Sequence, residues 1–191
     1  MSKGRLFVIS GASGVGKSTV LSRVMAARQD LKFSVSATTR PPRPGEQDGV
    51  SYYFITEQAF EQMIAEDAFL EYDRHAKASY GTPKGQLEEK LAEGNVILDI
   101  EPNGAFAVQK SRPDATLIFI MPPSVEELER RLRSRGDTSE EQIAVRMERA
   151  EWEMQQRFQY DHVVVNDRAE ACADEILKII AQKADNENGG K

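Results

Sequence analysis

Three observations predict an α/β fold in three layers, a parallel sheet with helices on both faces. Short apolar runs stop at turn residues, helical periodicity fills the chain between them, and a glycine-rich turn links the first run to the first helix. Leu6-Phe7-Val8-Ile9 is the first run and ends at Gly11; Val96–Ile100, Thr116–Ile120 and His162–Val165 repeat the pattern. A run without alternation suits a strand covered on both sides. Helical patterns occupy Ser18–Arg28, Lys84–Ala92 and Ser124–Arg133, where Val125, Leu128 and Leu132 share a face and Ser124 with Glu127 predicts a capping box. Two stretches break the rhythm. Pro41, Pro42, Pro44, Gly45 and Gly49 lie between β-rich pieces at Ser34–Thr38 and Tyr52–Ile55, ahead of a helix around Phe60, Met63 and Ile64, which predicts a small mixed β insertion. The second, Arg135–Ser139, is a polar turn between two arginine-rich helices.

The chain has 191 residues, a formal net charge of -6 and 29% charged residues, which fits one soluble domain able to bury its own core. One cysteine, Cys172, and two histidines exclude an internal disulfide and a four-ligand zinc site, so a metal would be held by oxygens. Met1–Arg5 lacks the apolar core of a signal peptide and no apolar run could span a bilayer, so a cytoplasmic protein is expected. The acidic balance argues against nucleic acid or an anionic membrane as partner, while leaving room for a local basic cluster. Ala184–Lys191 has the composition of a frayed tail.

Gly11-Ala12-Ser13-Gly14-Val15-Gly16-Lys17-Ser18 matches G-x-x-x-x-G-K-[ST] at every fixed position, after a strand and before a helix that continues through Thr19. In that setting backbone N–H groups and the helix N-terminus wrap phosphates, Lys17 reaches the β- and γ-phosphates, and the Ser18 hydroxyl meets Mg²⁺. A nucleoside triphosphate is therefore expected. A guanine-reading Asn-Lys-x-Asp segment is absent after the last strand, which continues as Asn166-Asp167-Arg168, so phosphoryl transfer to a small acceptor is a better fit than GTP hydrolysis.

Ser34–Glu46 packs hydroxyls with Arg40 and Arg43 into a proline-stiffened stretch. Two guanidinium forks suit a phosphate; from this stretch alone, two solvated surface arginines suit it equally. Further pieces narrow the choice: Gly49–Phe54, Phe69-Leu70-Glu71, Tyr80-Gly81-Thr82, Ile97–Glu101, Pro122-Pro123-Ser124, Arg131–Gly136, Arg146 and Val165-Asn166-Asp167. Together with the glycine-rich loop they resemble the guanylate kinase family from end to end, apart from the tail. The segments Asp73–Ser79 and Pro102-Asn103 depart from the family pattern.

The resemblance implies Mg²⁺-dependent transfer of the ATP γ-phosphoryl group to GMP, and to dGMP as well. Its organisation would be one domain over 1–184, with a core of 1–33, 84–130 and 156–184, a GMP-binding insertion of about 34–83, a helical lid of about 131–155, and a tail 185–191. ATP would meet Gly11 to Thr19, Arg135 and Asn166. The GMP phosphate would meet Arg40, Arg43, Tyr52 and Tyr80. The base would meet Ser36, Glu71 and Thr82, with Asp99 and Glu101 beside them, and Glu71 could accept from both guanine N1–H and the exocyclic amine. Lys17, Arg40, Arg131 and Arg146 would carry the chemistry, and Ser18 with Asp99, the latter through water, would hold Mg²⁺. Two alternatives share these motifs: a guanylate-kinase-like binding module of weak activity, and a kinase for a different nucleotide. Arg130, Arg133 and Arg149 are expected on solvated faces, and Met147, Trp152 and Met154 are expected to pack.

Overall fold

The computed structural model describes residues 4–75, 77–134 and 139–185. Its strands are β1 (Leu6–Gly11), β2 (Lys32–Ser34), β3 (Ala37–Thr38), β4 (Tyr53–Phe54), β5 (Phe69–His75), β6 (Ala78–Pro83), β7 (Val96–Asp99), β8 (Thr116–Met121) and β9 (His162–Val165). The helices are α1 (Lys17–Ala27), α2 (Glu57–Ala65), α3 (Lys84–Glu93), α4 (Pro102–Ser111), α5 (Val125–Arg133), α6 (Glu140–Gln155) and α7 (Ala169–Asp185). Five parallel strands run in the order β2-β7-β1-β8-β9, and a second, mixed sheet has the order β4-β3-β6-β5. The predicted α/β class and the separate β insertion are both present.

Two compact units divide these elements. One holds Phe7–Gln29 and the chain from Thr116 onward; the other holds Asp30–Ala115 and the chain up to Leu6. In the first, β1 pairs in parallel with β8 (Ile9↔Ile118), and β8 with β9 (Ile120↔Val164). Phe7, Ile9, Leu117 and Phe119 are fully buried, as continuous apolar runs require. The α1 and α7 helices pack together, with Val20, Val24 and Ile176 buried. Cys172 is buried too, and burial pushes its thiol up to about 11, so it is an inert packing group. α7 reaches Asp185, so the first residues of the expected tail are helical.

One helix terminus differs from expectation. Ser124 does cap α5, its Oγ accepting the Glu127 N–H at 3.1 Å, but Glu127 turns its carboxylate to Arg130 and Arg131 at 2.7 Å, where charge-assisted bonds are stronger. The reciprocal box is found at α6, between Ser139 and Gln142. Pro102 stands at the first position of α4, where its fixed φ and missing N–H cost nothing.

In the other unit, β2 pairs in parallel with β7, so the β-rich piece at Ser34–Thr38 is divided between two sheets. The β5–β6 pair was not legible in the sequence. It is an antiparallel hairpin running from Glu71↔Thr82 to His75↔Ala78, with an irregularity in register between Phe69 and Glu71. One face is an aromatic cluster: Phe60 of α2 lies 4.5 Å from Phe69 and 6.3 Å from Tyr72, centroid to centroid. Gly81 faces the same cluster, and a Cβ there would sit 2.8 Å from the Phe69 ring, so only glycine lets the rings close over the hairpin. Phe60, fully buried, ties α2 to the hairpin. Phe60→Ala should cost about 3–5 kcal/mol, read by urea unfolding, with the loss in the midpoint and not in the slope.

Candidate active site

The glycine-rich loop enters α1 without a side-chain cap: Gly16 occupies the N-cap at φ 92° and Lys17 is the first helical residue. Both Gly14 (φ 87°) and Gly16 use the left-handed region, which favours glycine. An uncapped helix start with its dipole end exposed is the usual setting for an anion.

The loop is braced from three elements of its own unit. From the end of β9, Asn166 donates its Nδ2 to the Val15 carbonyl at 2.8 Å. From α5, Arg131 donates through Nη1 to Val15 O at 3.2 Å and Asn166 O at 3.0 Å, and through Nη2 to Asp167 O at 3.3 Å. Leu132, also of α5, packs on Gly14, where an added Cβ would lie 2.5 Å from its Cδ2. From α6, Glu153 accepts the Ser13 N–H at 2.7 Å. Within the loop, Val15 N–H binds Ala12 O at 2.9 Å. Arg131 was expected on the transferring phosphoryl group; in this geometry its fork is turned to backbone carbonyls. Arg146 is half-buried on α6, and Arg135 lies outside the described residues.

Arg130 is exposed, as predicted, and Arg133 is paired with Glu129 at 2.8 Å on a partly exposed face. Arg149 departs from that expectation: its Nε binds the buried Glu153 at 3.1 Å. Met154 is buried, whereas Trp152 is 43% exposed, so the aromatic expected to pack faces outward.

The second group of predicted residues lies in the other unit. Directly opposed pairs Glu71↔Thr82 and Asp73↔Tyr80 place Glu71, Thr82 and Tyr80 on one face of the hairpin, opposite the aromatic cluster. Glu71 is buried and accepts a short hydrogen bond from the Thr82 hydroxyl. Burial pushes its carboxyl up to about 7; the Thr82 bond pulls it down and the charge of Asp73 adds to the rise. Gly104, in the first turn of α4, approaches so closely that a Cβ would sit 2.7 Å from Glu71 Oε2.

Arg40 completes that face. Its Cζ lies 4.9 Å from the Tyr52 ring centroid, and Tyr52 meets Tyr80 edge-on at 6.0 Å. Its two terminal nitrogens bind the two oxygens of Glu46 at 2.7 Å each, while Arg43 N–H binds Glu46 Oε2 at 2.7 Å. The Arg40 hydrogen bonds hold the Glu46 carboxyl down at about 2. Glu46 was not singled out from the sequence, although its place three residues after Arg43 in a proline-stiffened turn was a usable signal. Arg43 itself is exposed, Ser36 joins β2 to β3, Asp99 ends β7 and Glu101 stands at the N-cap of α4.

Among the described residues no group of three or more His, Cys, Asp or Glu could hold a metal. The exposed Ser18 hydroxyl at the start of α1 is a hard oxygen donor beside the glycine-rich loop, of the kind that suits a Mg²⁺ ion arriving with a nucleotide, and in the other unit the Asp99 carboxylate ends β7. No helix among the described residues is long and apolar enough to cross a membrane.

Comparison with known proteins gives one answer at three levels. The family model described as guanylate kinase matches residues 3–183. A guanylate kinase of Thermus thermophilus is 50% identical over 179 residues, 93% of this chain and 81% of that protein, and one from Synechococcus sp. is 47% identical over 93% and 82%. The crystal structure of guanylate kinase from Anaplasma phagocytophilum superposes with a TM-score of 0.79 at 31% identity, covering 95% of this chain and 87% of that one. With its glycine-rich loop, its mixed sheet and this match over nearly its whole length, the chain belongs to the guanylate kinase family.

Proposed function

We propose that the chain transfers the γ-phosphoryl group of ATP to GMP, giving ADP and GDP. The observation that carries the reading is the single hairpin face on which the buried Glu71–Thr82 pair, an acceptor for a purine with adjacent N–H donors, lies alongside Arg40, Tyr52 and Tyr80, a cationic fork for its phosphate. Adenine lacks that pair of donors, and a buried acceptor left unpaired is what separates such substrates. Thr82 orients the Glu71 carboxylate, Ser36, Asp99 and Glu101 border the base, and Arg43 joins Arg40 on the phosphate.

ATP lies on the glycine-rich loop. Because Ser13, Val15 and Thr19 already commit their N–H groups within the protein, donation to the phosphates falls on the other amides of the loop and the start of α1, assisted by the α1 dipole. An oxygen of the GMP phosphate attacks the γ-phosphorus in line as the β–γ bridge breaks. Lys17 and Arg146 balance the charge spreading over the transferring oxygens. Arg131 adds positive charge from behind the loop, Asn166 holds the loop under the nucleotide, and Arg135 is assigned to ATP with them. Ser18 and, through water, Asp99 would hold a Mg²⁺ ion arriving with ATP, and the ion would supply further charge neutralisation.

A coupled assay of ADP release with GMP, dGMP, AMP, CMP and UMP tests the assignment: turnover should be highest with the guanine nucleotides, and a preference for AMP would remove Glu71 from base recognition. Lys17→Ala should lower kcat at least about 10²–10³-fold with an unchanged melting temperature; retained turnover would exclude it from catalysis.

The raised Glu71 pKa gives two further expectations. Below about pH 7 the carboxyl of the free protein takes up a proton and loses an acceptor oxygen, so KM for GMP should rise as the pH falls from 8 to 6. The phosphate of GMP titrates nearby, so the readout is the difference from Glu71→Gln, whose profile should be flatter and whose kcat/KM with GMP should be far lower. Stability moves oppositely. Between about 4.5 and 7 the folded state binds more protons than the unfolded one at this group, so ionising it costs the fold about 3 kcal/mol as pH rises through that window. Glu71→Gln should therefore melt higher than the parent at pH 8 and show no such advantage at pH 4.

A further inference from the structure

Glu153 is the charged member of the buried face of α6, which otherwise consists of Ile143, Ala150 and Met154. Its side chain is only 3% exposed. Burying a carboxylate is costly unless each oxygen is hydrogen-bonded, and here both are: Oε2 accepts the Ser13 N–H at 2.7 Å and Oε1 accepts Arg149 Nε at 3.1 Å. Its location is unexpected on electrostatic grounds. A negative group placed against a loop that must receive phosphates works against the ligand's charge, so the carboxylate is there for the backbone it holds.

We propose that Glu153 is a positioning residue for the phosphate loop, fixing the Ser13 peptide so that the following amides present their N–H groups to the triphosphate. The bond ties the third residue of the loop to a helix 140 positions later in the chain. With Asn166 and Arg131 holding the Val15 carbonyl, peptides on either side of Gly14 are anchored, and the two left-handed glycines between and beyond these anchors have one arrangement open to them. Arg149 keeps the carboxylate extended toward the loop from one helical turn away. Arg146, seven residues before Glu153, lies on the same side of α6 two turns along, so the Ser13 bond also sets where that arginine stands relative to the loop. The inference rests on the reading that this loop binds ATP.

The test is steady-state kinetics of the full chain and of Glu153→Gln, varying ATP at saturating GMP and then the reverse. The glutamine keeps the shape but cannot accept with charge at both ends. KM for ATP should rise about 10- to 100-fold, with KM for GMP within about twofold and the melting temperature within a few degrees. An unchanged KM for ATP and unchanged kcat would overturn the proposal, as would equal losses toward both nucleotides in step with the unfolded fraction. Absence of turnover by the parent chain would instead count against the kinase reading. A second readout needs no variant: hydrogen exchange at the Ser13 amide of the parent protein should be slowed at least about tenfold relative to an exposed loop amide, and exchange at the open-loop rate would overturn the proposal whether or not Glu153→Gln folds.

Discussion

A loop that offers its N–H groups to a ligand must have its carbonyls taken by something else. That requirement organises one half of this chain. The Val15 carbonyl receives Asn166 and Arg131, the Ser13 amide is held by Glu153, and Leu132 closes on the missing side chain of Gly14. The residues reach the loop from β9, α5 and α6, elements far away in sequence that the parallel order of β1, β8 and β9 brings behind it. Each brace is modest alone. Their sum makes the loop's shape independent of any ligand, which is what preorganised electrostatic stabilisation requires.

In the other unit the corresponding constraint is the parity of a hairpin. Period two sends Phe69 and Tyr72 into the Phe60 cluster and Glu71, Tyr80 and Thr82 to the opposite side, and the irregularity between Phe69 and Glu71 is what allows two such near neighbours to face different ways. A one-residue slip would bury the carboxylate among rings and expose the aromatic set. The glycine at 81 and the glycine at 104 then permit the two close approaches, one aromatic and one to Glu71, that finish the packing.

The parallel sheet was legible because β1, β7 and β8 are covered on both faces and carry apolar runs, whereas β9 keeps its valine run although Val163 and Val165 are exposed. The phosphate loop was legible because backbone geometry demands glycine and the ligand demands lysine at fixed spacing. The hairpin was not. β5, as Phe-Leu-Glu-Tyr-Asp-Arg-His, carries charge on the face of Glu71 and Asp73, and β6, as Ala-Ser-Tyr-Gly-Thr-Pro, contains two residues that local propensity assigns to turns. Glu153 was hidden for a related reason: a glutamate four residues after an arginine on a helix has the pattern of a solvated ion pair, and only tertiary packing decides that it is buried. At Ser124 only half of the capping box formed, because Arg130 and Arg131 take the Glu127 carboxylate in place of the backbone amide, a contest that sequence spacing alone does not rank.

The pairing of Arg40 with Glu46 alters what arrival of a ligand means at that end of the hairpin. A fork already filled by a carboxylate is electrically compensated, so it exerts little pull on an anion at a distance. A phosphate reaching it takes part in an exchange between two oxyanions, in which the chain's own one is released or shared and keeps the Arg43 amide as a holding point. Such a site resists casual occupation by small anions in solution, since a single weak charge gains little by displacing Glu46. A ligand succeeds there only by arriving with additional contacts of its own, so the ion pair acts as a threshold that converts attachment elsewhere on the molecule into occupancy here.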